Sequence, residues 1–291
     1  VFSIVIIPVA YILLIFRIIG SNRLAMTSSR LKKIGVFPIR NHYYEPLFDH
    51  RLLMKPLNKD RDLPGIDFNI AGQLYLLSQL TFSDELISLK LQYDRGDIHS
   101  FNFNNGTFES GDAEFLYQII RHLKPRKIIE IGSGSSTKIA RLALKKNEIE
   151  TGSSYQHICV EPYEQPWLED LENISIIRQL IEHVNIDWAN ELNPGDLLFV
   201  DSSHMIRPQG DVLKEYLEIF PQLKPGVYVH IHDIFTPKDY LRSWVVDDVR
   251  FWNEQYLLEA LLTNTTRYEI VAALNLLKHR HYDNLKDVCP Y

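Results

Sequence analysis

The sequence predicts an α/β fold: a doubly wound, mainly parallel sheet, preceded by an N-terminal apolar helix and an irregular accessory region. Three observations predict it. From Gly111 onward, short apolar runs alternate with segments of helical periodicity. The runs end repeatedly in acids or in a His-Asp pair, at Glu130, Glu161, Asp201 and His232-Asp233. A Gly-Ser loop directly follows the first run. Strands separated by helices imply right-handed crossovers and a parallel sheet covered on both faces.

The chain opens on an uncharged run from Val1 to Phe16, followed by Arg17. About 20 apolar residues span a bilayer core, so residues 1–20 are expected to form a membrane anchor near the lower length limit, interrupted by Pro8. Residues 1–44 hold six basic side chains and no acid, so the remainder carries −12 against a total of −6. Basic residues after the apolar run place the following domain on the cytoplasmic side, as a single N-terminal span, and Arg17 is able to snorkel to the headgroups. Two other readings stay open. One is a buried helix, or one that joins copies into a homo-oligomer. The other is a signal peptide, although there the positive charges normally come first.

Residues 21–110 read as an accessory or lid region, rich in proline and aromatics, or simply as a connector. Helices are expected at Ile70–Leu80 and Ser83–Tyr93, and His42, Tyr43 and Tyr44 are lid candidates. Residues 111–291 form the main domain. It begins with an amphipathic helix at Asp112–Leu123 and a strand at Lys127–Ile131. A helix over Lys138–Lys146, a strand at His157–Glu161 and a short helix at Gln165–Glu172 follow. The pattern continues with strands at Ile174–Arg178 and Asp196–Asp201, a helix at Asp211–Leu223 and a strand at Gly226–His232. A long helix at Tyr240–Leu262 and a sixth strand at Tyr268–Leu274 close it.

Composition excludes several classes. With 45% apolar and 23% charged residues the chain is ordinary globular protein. Two cysteines make no disulfide framework. A net charge of −6 argues against a nucleic-acid binder.

Ligands of such a sheet bind at the carboxyl ends of its strands. Gly132 and Gly134 allow a tight turn and close approach of a ligand. Ser135, Ser136 and Thr137 open a helix whose free N–H groups and hydroxyls meet a polar ligand. The loop lacks the Gly-Lys-Ser/Thr of a triphosphate loop and the third glycine of a dinucleotide fingerprint, a place held by Thr137. Glu161 is placed to accept two hydrogen bonds from a ribose diol.

Glu130-Ile-Gly-Ser-Gly-Ser-Ser-Thr137, Val160-Glu161-Pro162 and Phe199-Val-Asp-Ser-Ser-His204 together resemble a class I S-adenosylmethionine-dependent methyltransferase, over about residues 110–275. The similarity is greatest to metal-dependent O-methyltransferases: the catechol type, and the macrolide-sugar and cephalosporin-hydroxylase-like group. The resemblance implies a Rossmann-like fold. It implies that Glu130, Gly132, Ser133, Gly134, Ser135, Ser136 and Thr137 hold the methionine part of the cofactor, that Glu161 binds its ribose, and that the segment near Gln179 flanks its adenine. It further implies a divalent cation on Asp201, His232 and Asp233. Oxygen donors suit Mg²⁺, and His232, where an acid or amide is usual, suits Mn²⁺ or Fe²⁺. His204, three residues after Asp201, is the candidate general base. The expected acceptor is a hydroxyl of a small molecule or glycan.

Alternatives remain at each position. Asp201 and Asp233 could instead pair with Arg207, Lys238 or Arg242. His204 could be a metal or structural residue, and His230 and Cys159 read as core. Trp244, Phe251 and Trp252 read as packing. Two His and a carboxylate also admit a metal-dependent oxygenase, and a membrane-tethered, non-catalytic cofactor-binding protein is a third class.

Overall fold

The computed structural model describes residues 2–291; Val1, from which the apolar run was counted, lies outside them. Two compact units divide the chain. One comprises residues up to Lys59 together with Leu241–Phe251, and the other Asp60–Tyr240 with Trp252–Tyr291.

In the first unit, helix α1 (Phe2–Ile19) contains Pro8, and α2 (Ala25–Ile34) follows. At 1.5 Å per residue, α1 is about 27 Å long, and it is the one helix among the described residues long and apolar enough to cross a membrane. Its side chains are exposed except for half-buried Leu13 and Arg17 and buried Phe16, which meets the Phe37 ring edge-on at 6.1 Å. Arg17 pairs with Glu45 at 2.6 Å. The aromatic trio His42, Tyr43 and Tyr44 stacks on itself, with the tyrosine rings 3.9 Å apart.

The second unit holds α3 (Ile70–Gln79), α4 (Ser83–Leu91), α5 (Asp112–Leu123), β1 (Lys127–Ile131), α6 (Ser135–Thr151) and β2 (Gln156–Val160). Next come α7 (Pro166–Glu169), β3 (Ile174–Ile177), α8 (Trp188–Glu191), β4 (Leu197–Val200), α9 (Asp211–Lys214) and β5 (Tyr228–Ile231). The unit ends with α10 (Glu254–Thr263), α11 (Leu274–Arg280) and α12 (Tyr282–Val288). The strands form an all-parallel sheet in the order β3-β2-β1-β4-β5. This is the expected Rossmann-like α/β fold.

Alternation along the strands builds the two faces. Ile128, Leu197 and Phe199 pack with Leu116, Ile120, Ile139 and Leu144 of α5 and α6. Ile129, Ile131, Leu198 and Val200 pack with Trp188, Tyr216, Ile219 and Phe220. Leu77, Leu80, Leu86, Phe101, Phe103 and Phe108 join the first of these cores, so residues 60–110, read in the sequence as accessory, fold with the sheet.

Three elements depart from expectation. The segment Tyr268–Leu274 is not a strand: β5 is the sheet edge, and α11 starts at Leu274. Its backbone is engaged elsewhere. Asn69 Nδ2 donates to the carbonyl of Ile270 at 3.2 Å, and the N–H of Ala273 donates to Gln73 Oε1 at 2.7 Å. The predicted helix Tyr240–Leu262 is a π turn over Ser243–Asp247, an irregular stretch, and then α10. The Asp211–Leu223 helix widens to a π turn at Glu215–Ile219 and ends in a tight turn at Phe220–Gln222, where Pro221 supplies no N–H.

Candidate active site

After β1 the chain turns at Gly132 with φ +82°, where a Cβ would lie 2.0 Å from the carbonyl oxygen of Asp201. Only glycine lets this turn lie against the end of β4. Gly134 is different, because a Cβ there would meet nothing within 4 Å. Its backbone borders open space.

Glu161, just past β2, is nearly buried and accepts the N–H of Ser133 at 3.0 Å and that of Tyr163 at 2.9 Å, one on each oxygen. A carboxylate has about four acceptor directions, so two remain. Gln165 Nε2 donates to the Ser133 carbonyl at 2.7 Å, and the Ser135 hydroxyl lies 3.1 Å from that of Thr107. Thr137 is wholly buried; its hydroxyl donates to Glu130 Oε2 at 2.5 Å and accepts the Gly134 N–H at 3.2 Å. Glu130 is buried with it, 3.3 Å from His157 Nε2 and 3.5 Å from Cys159 Sγ. Burial pushes the Cys159 thiol up. Within the loop, then, Glu130, Ser136 and Thr137 face inward and brace it, while Gly132, Gly134 and Ser135 keep exposed surface. Gln179 is exposed on the loop after β3.

The ends of β4 and β5 bring four side chains together. His204 Nε2 lies 3.2 Å from Asp201 Oδ1 and 3.6 Å from Asp233 Oδ2. His232 Nδ1 lies 3.4 Å from Asp201 and 3.7 Å from Asp233. Both histidines are buried, and His232 Nδ1 has no hydrogen-bond partner. His204 and Asp233 each sit at φ +57°, a left-handed conformation uncommon outside glycine and concentrated at functional sites. Burial opposes charge on His204, but the carboxylates of Asp201 and Glu254 outweigh it and push it up to about 10. His232 follows the same balance, against burial, through Asp112 and Asp201, and is also pushed up to about 10. Burial works against the Asp201 carboxylate too, yet the two histidines hold it well below the usual range.

Arg207 is spent on Glu182 and Asp211, so Asp201 and Asp233 pair with histidines rather than with that arginine. His230 packs on Phe199, ring centroids 4.7 Å apart, and burial lowers it to about 4. Trp252 lies 4.4 Å from the His204 ring.

The sequence reading missed Glu254 and Asp112 as site residues. Glu254 is fully buried at the start of α10 and places Oε2 2.8 Å from His204 Nδ1, while Tyr216 donates to its other oxygen at 3.1 Å. Asp112 opens α5, with its carboxylate 3.7 Å from His232 Nε2. Neither follows a strand, so the strand-end pattern could not find them. No local signal set Glu254 apart from the neighbouring acids Asp247, Asp248 and Glu259.

An asymmetric cluster of two carboxylates and two imidazoles thus faces a glycine turn whose far side is bound to Glu161. Residues 129–234 match the family model of a methyltransferase domain. A protein of Archaeoglobus fulgidus with no assigned function is 28% identical over 175 residues, covering 55% of this chain and 76% of its own. A solved structure from Plasmodium falciparum, given as a protein-L-isoaspartate O-methyltransferase in complex with S-adenosyl-L-homocysteine, is 21% identical. It covers 47% of this chain and 76% of its own, with a TM-score of 0.29. The family match covers the segment that carries the glycine turn, Glu161 and the His-Asp cluster, and it supports an S-adenosylmethionine-dependent methyltransferase.

Proposed function

We propose that the enzyme is a divalent-metal-assisted O-methyltransferase acting on a hydroxyl of a small molecule or glycan. The observation that carries the reading is the convergence of Asp201, His204, His232 and Asp233, with His232 Nδ1 buried between two carboxylates and outside hydrogen-bond geometry to either. Two carboxylates and two imidazoles crowded together in a buried site, one nitrogen among them making no hydrogen bond, are costly unless something completes the set. Asp201, His232 and Asp233 fit a cation, and the mixed nitrogen and oxygen donors favour Mn²⁺ or Fe²⁺ over Mg²⁺. When bound, such an ion lowers the pKa of an alcohol and orients it.

The side chains divide the remaining work. Glu161 keeps acceptor capacity for the ribose, and the backbone at Gly134 leaves room for the methionine part of the cofactor. Gln179, exposed on the loop after β3, is assigned to the adenine edge. Glu254 holds Nδ1 of His204, so that Nε2 is the nitrogen turned toward Asp201 and Asp233. Asp201 and Glu254 favour the protonated form of His204; a cation held by Asp201, His232 and Asp233 would offset the Asp201 part of that effect and so favour the free imidazole that accepts the acceptor's proton. The acceptor oxygen, its proton passed to Nε2, then forms a bond to the sulfonium methyl as the sulfur–carbon bond breaks onto sulfur.

The test is methyl transfer from S-adenosylmethionine to a panel of hydroxyl acceptors, with and without chelator, under argon. Cation-dependent transfer is expected. Transfer indifferent to chelator removes the metal, and a strict need for oxygen would favour a hydroxylase instead.

The α1 helix we read as a single membrane anchor with the catalytic part cytoplasmic. Its apolar length and the basic residues that follow support this. The full chain should stay with membranes through carbonate extraction and leave them only in detergent; release by carbonate counts against an anchor.

A further inference from the structure

A cavity of about 530 Å³ runs along the outer edge of β5, within the size range of small-molecule sites. One end is formed by Asp112, His232 and Asp233, and the other lies by Lys224, before β5. Along the four residues of β5 it follows the strand for roughly 13 Å. Phe115 and Ile119 of α5, Leu258 and Leu261 of α10, and Ile270 and Val271 line its length. The far wall is a built feature. Gln73, wholly buried, donates to the carbonyl of Phe68 at 2.5 Å and accepts the N–H of Ala273. Asn69 caps α3 and also donates to Glu269 Oε1 at 2.7 Å and to the carbonyl of Ile270. These side chains hold segment 268–273 off the sheet, and the space beside β5 stays open.

We infer that this cavity receives the aliphatic part of the acceptor, so that the enzyme methylates a hydroxyl at the head of a linear hydrocarbon chain. The inference rests on the reading of the Asp201–His204–Asp233 cluster as the place of the acceptor hydroxyl. Its ground is continuity: the polar cluster closes one end of a long apolar cavity, and an amphiphile satisfies both parts at once. A wholly polar acceptor would leave the walls against water, at a cost proportional to their area. An apolar α1 in the same chain suits an enzyme whose acceptor resides in lipid.

The experiment uses the full chain held in amphipol and a ten-carbon primary alcohol with a diazirine at its tail carbon. After irradiation, label is expected on the peptides carrying Leu258–Leu262 and Tyr268–Leu274. Competition by unlabelled alcohols should strengthen from butanol to decanol, by up to about fourfold per methylene. Ala272→Trp, which fills the cavity, should lose the label while S-adenosylhomocysteine still binds. Should that variant not fold, Leu261→Trp takes its place, and the competition series on the native chain stands alone.

Label confined to Phe2–Ile19, or equal competition by butanol and decanol, overturns the inference. So does slow hydrogen exchange at the Val229 and Ile231 amides in the ligand-free chain. Tyr228 and His232 donate to the β4 side, so those two intervening N–H groups face the cavity. Their protection would mean that segment 268–272 has closed on β5 as a sixth strand. Failure here leaves cation-dependent transfer to short, water-soluble alcohols intact. Failure of the metal-assisted reading abolishes that transfer and leaves the labelling unchanged.

Discussion

Glu254 places a fully buried carboxylate oxygen 2.8 Å from Nδ1 of His204, fifty residues away in sequence. This contact fixes which imidazole nitrogen meets Asp201 and Asp233. Carboxylate partners of this kind orient a histidine and set its tautomer, and their loss typically costs ten- to a hundredfold in activity or metal affinity. Glu254→Gln should therefore lower methyl transfer by about that factor while cofactor affinity, read by calorimetry, holds. An unchanged rate would show that His204 needs no such partner.

Asp201 lies within 3.4 Å of both histidines. Asp201→Ala should abolish measurable transfer, with one-to-one binding of S-adenosylhomocysteine retained. It also removes the carboxylate that helps keep His204 and His232 protonated, so both imidazoles should titrate at lower pH by NMR. Activity within a few-fold of the native enzyme would remove Asp201 from the site.

The two glycines of the loop should separate stability from binding. Gly132→Ala forces a methyl against the Asp201 carbonyl at a left-handed φ and should cost about 1–3 kcal/mol of stability, read from chemical denaturation. Gly134→Ala meets open space; it should leave stability nearly unchanged and weaken cofactor binding, because the added methyl occupies the approach to the backbone. Equal melting of the two variants contradicts this division.

Glu85 braces the buried Arg121, which also reaches Asn147 and Glu150 on α6. Partial burial works against the Glu85 charge, but Arg121 and Tyr117 outweigh it and hold the carboxyl below its usual range. Its stabilising contribution is therefore complete above the unfolded value, about pH 4.3, and is lost as pH falls through the lower folded value. Urea midpoints measured from pH 7 to pH 3 should fall in that window, and the Glu85→Gln variant should start lower and fall less. Parallel curves for the two proteins would place the acid sensitivity elsewhere.

Each strand β1 to β5 was legible because apolar runs of four to five residues end in a polar group at one sheet edge, a local signal that burial on both faces imposes. The glycine turn was legible for the same reason. The sixth strand was misread: Tyr268–Leu274 carries strand periodicity, but Asn69 and Gln73 take its backbone groups from 200 residues or more away. The long helix was misread where Ser243–Asp247 widens and α10 restarts at Glu254. Propensity has no view of such distant partners.

The sequence alone determined the layered α/β sheet, the loop at Gly132–Thr137 and the set of strand-end acids, because all three are written in short-range pattern. Tertiary structure decided the rest. It sent Glu130 and Thr137 inward, turned His204 toward Asp201 and Asp233, and added Glu254 and Asp112 from helices the pattern could not connect to the site. Those choices depend on which helix termini pack beside β4 and β5, and that packing is settled by the whole core rather than by any one segment.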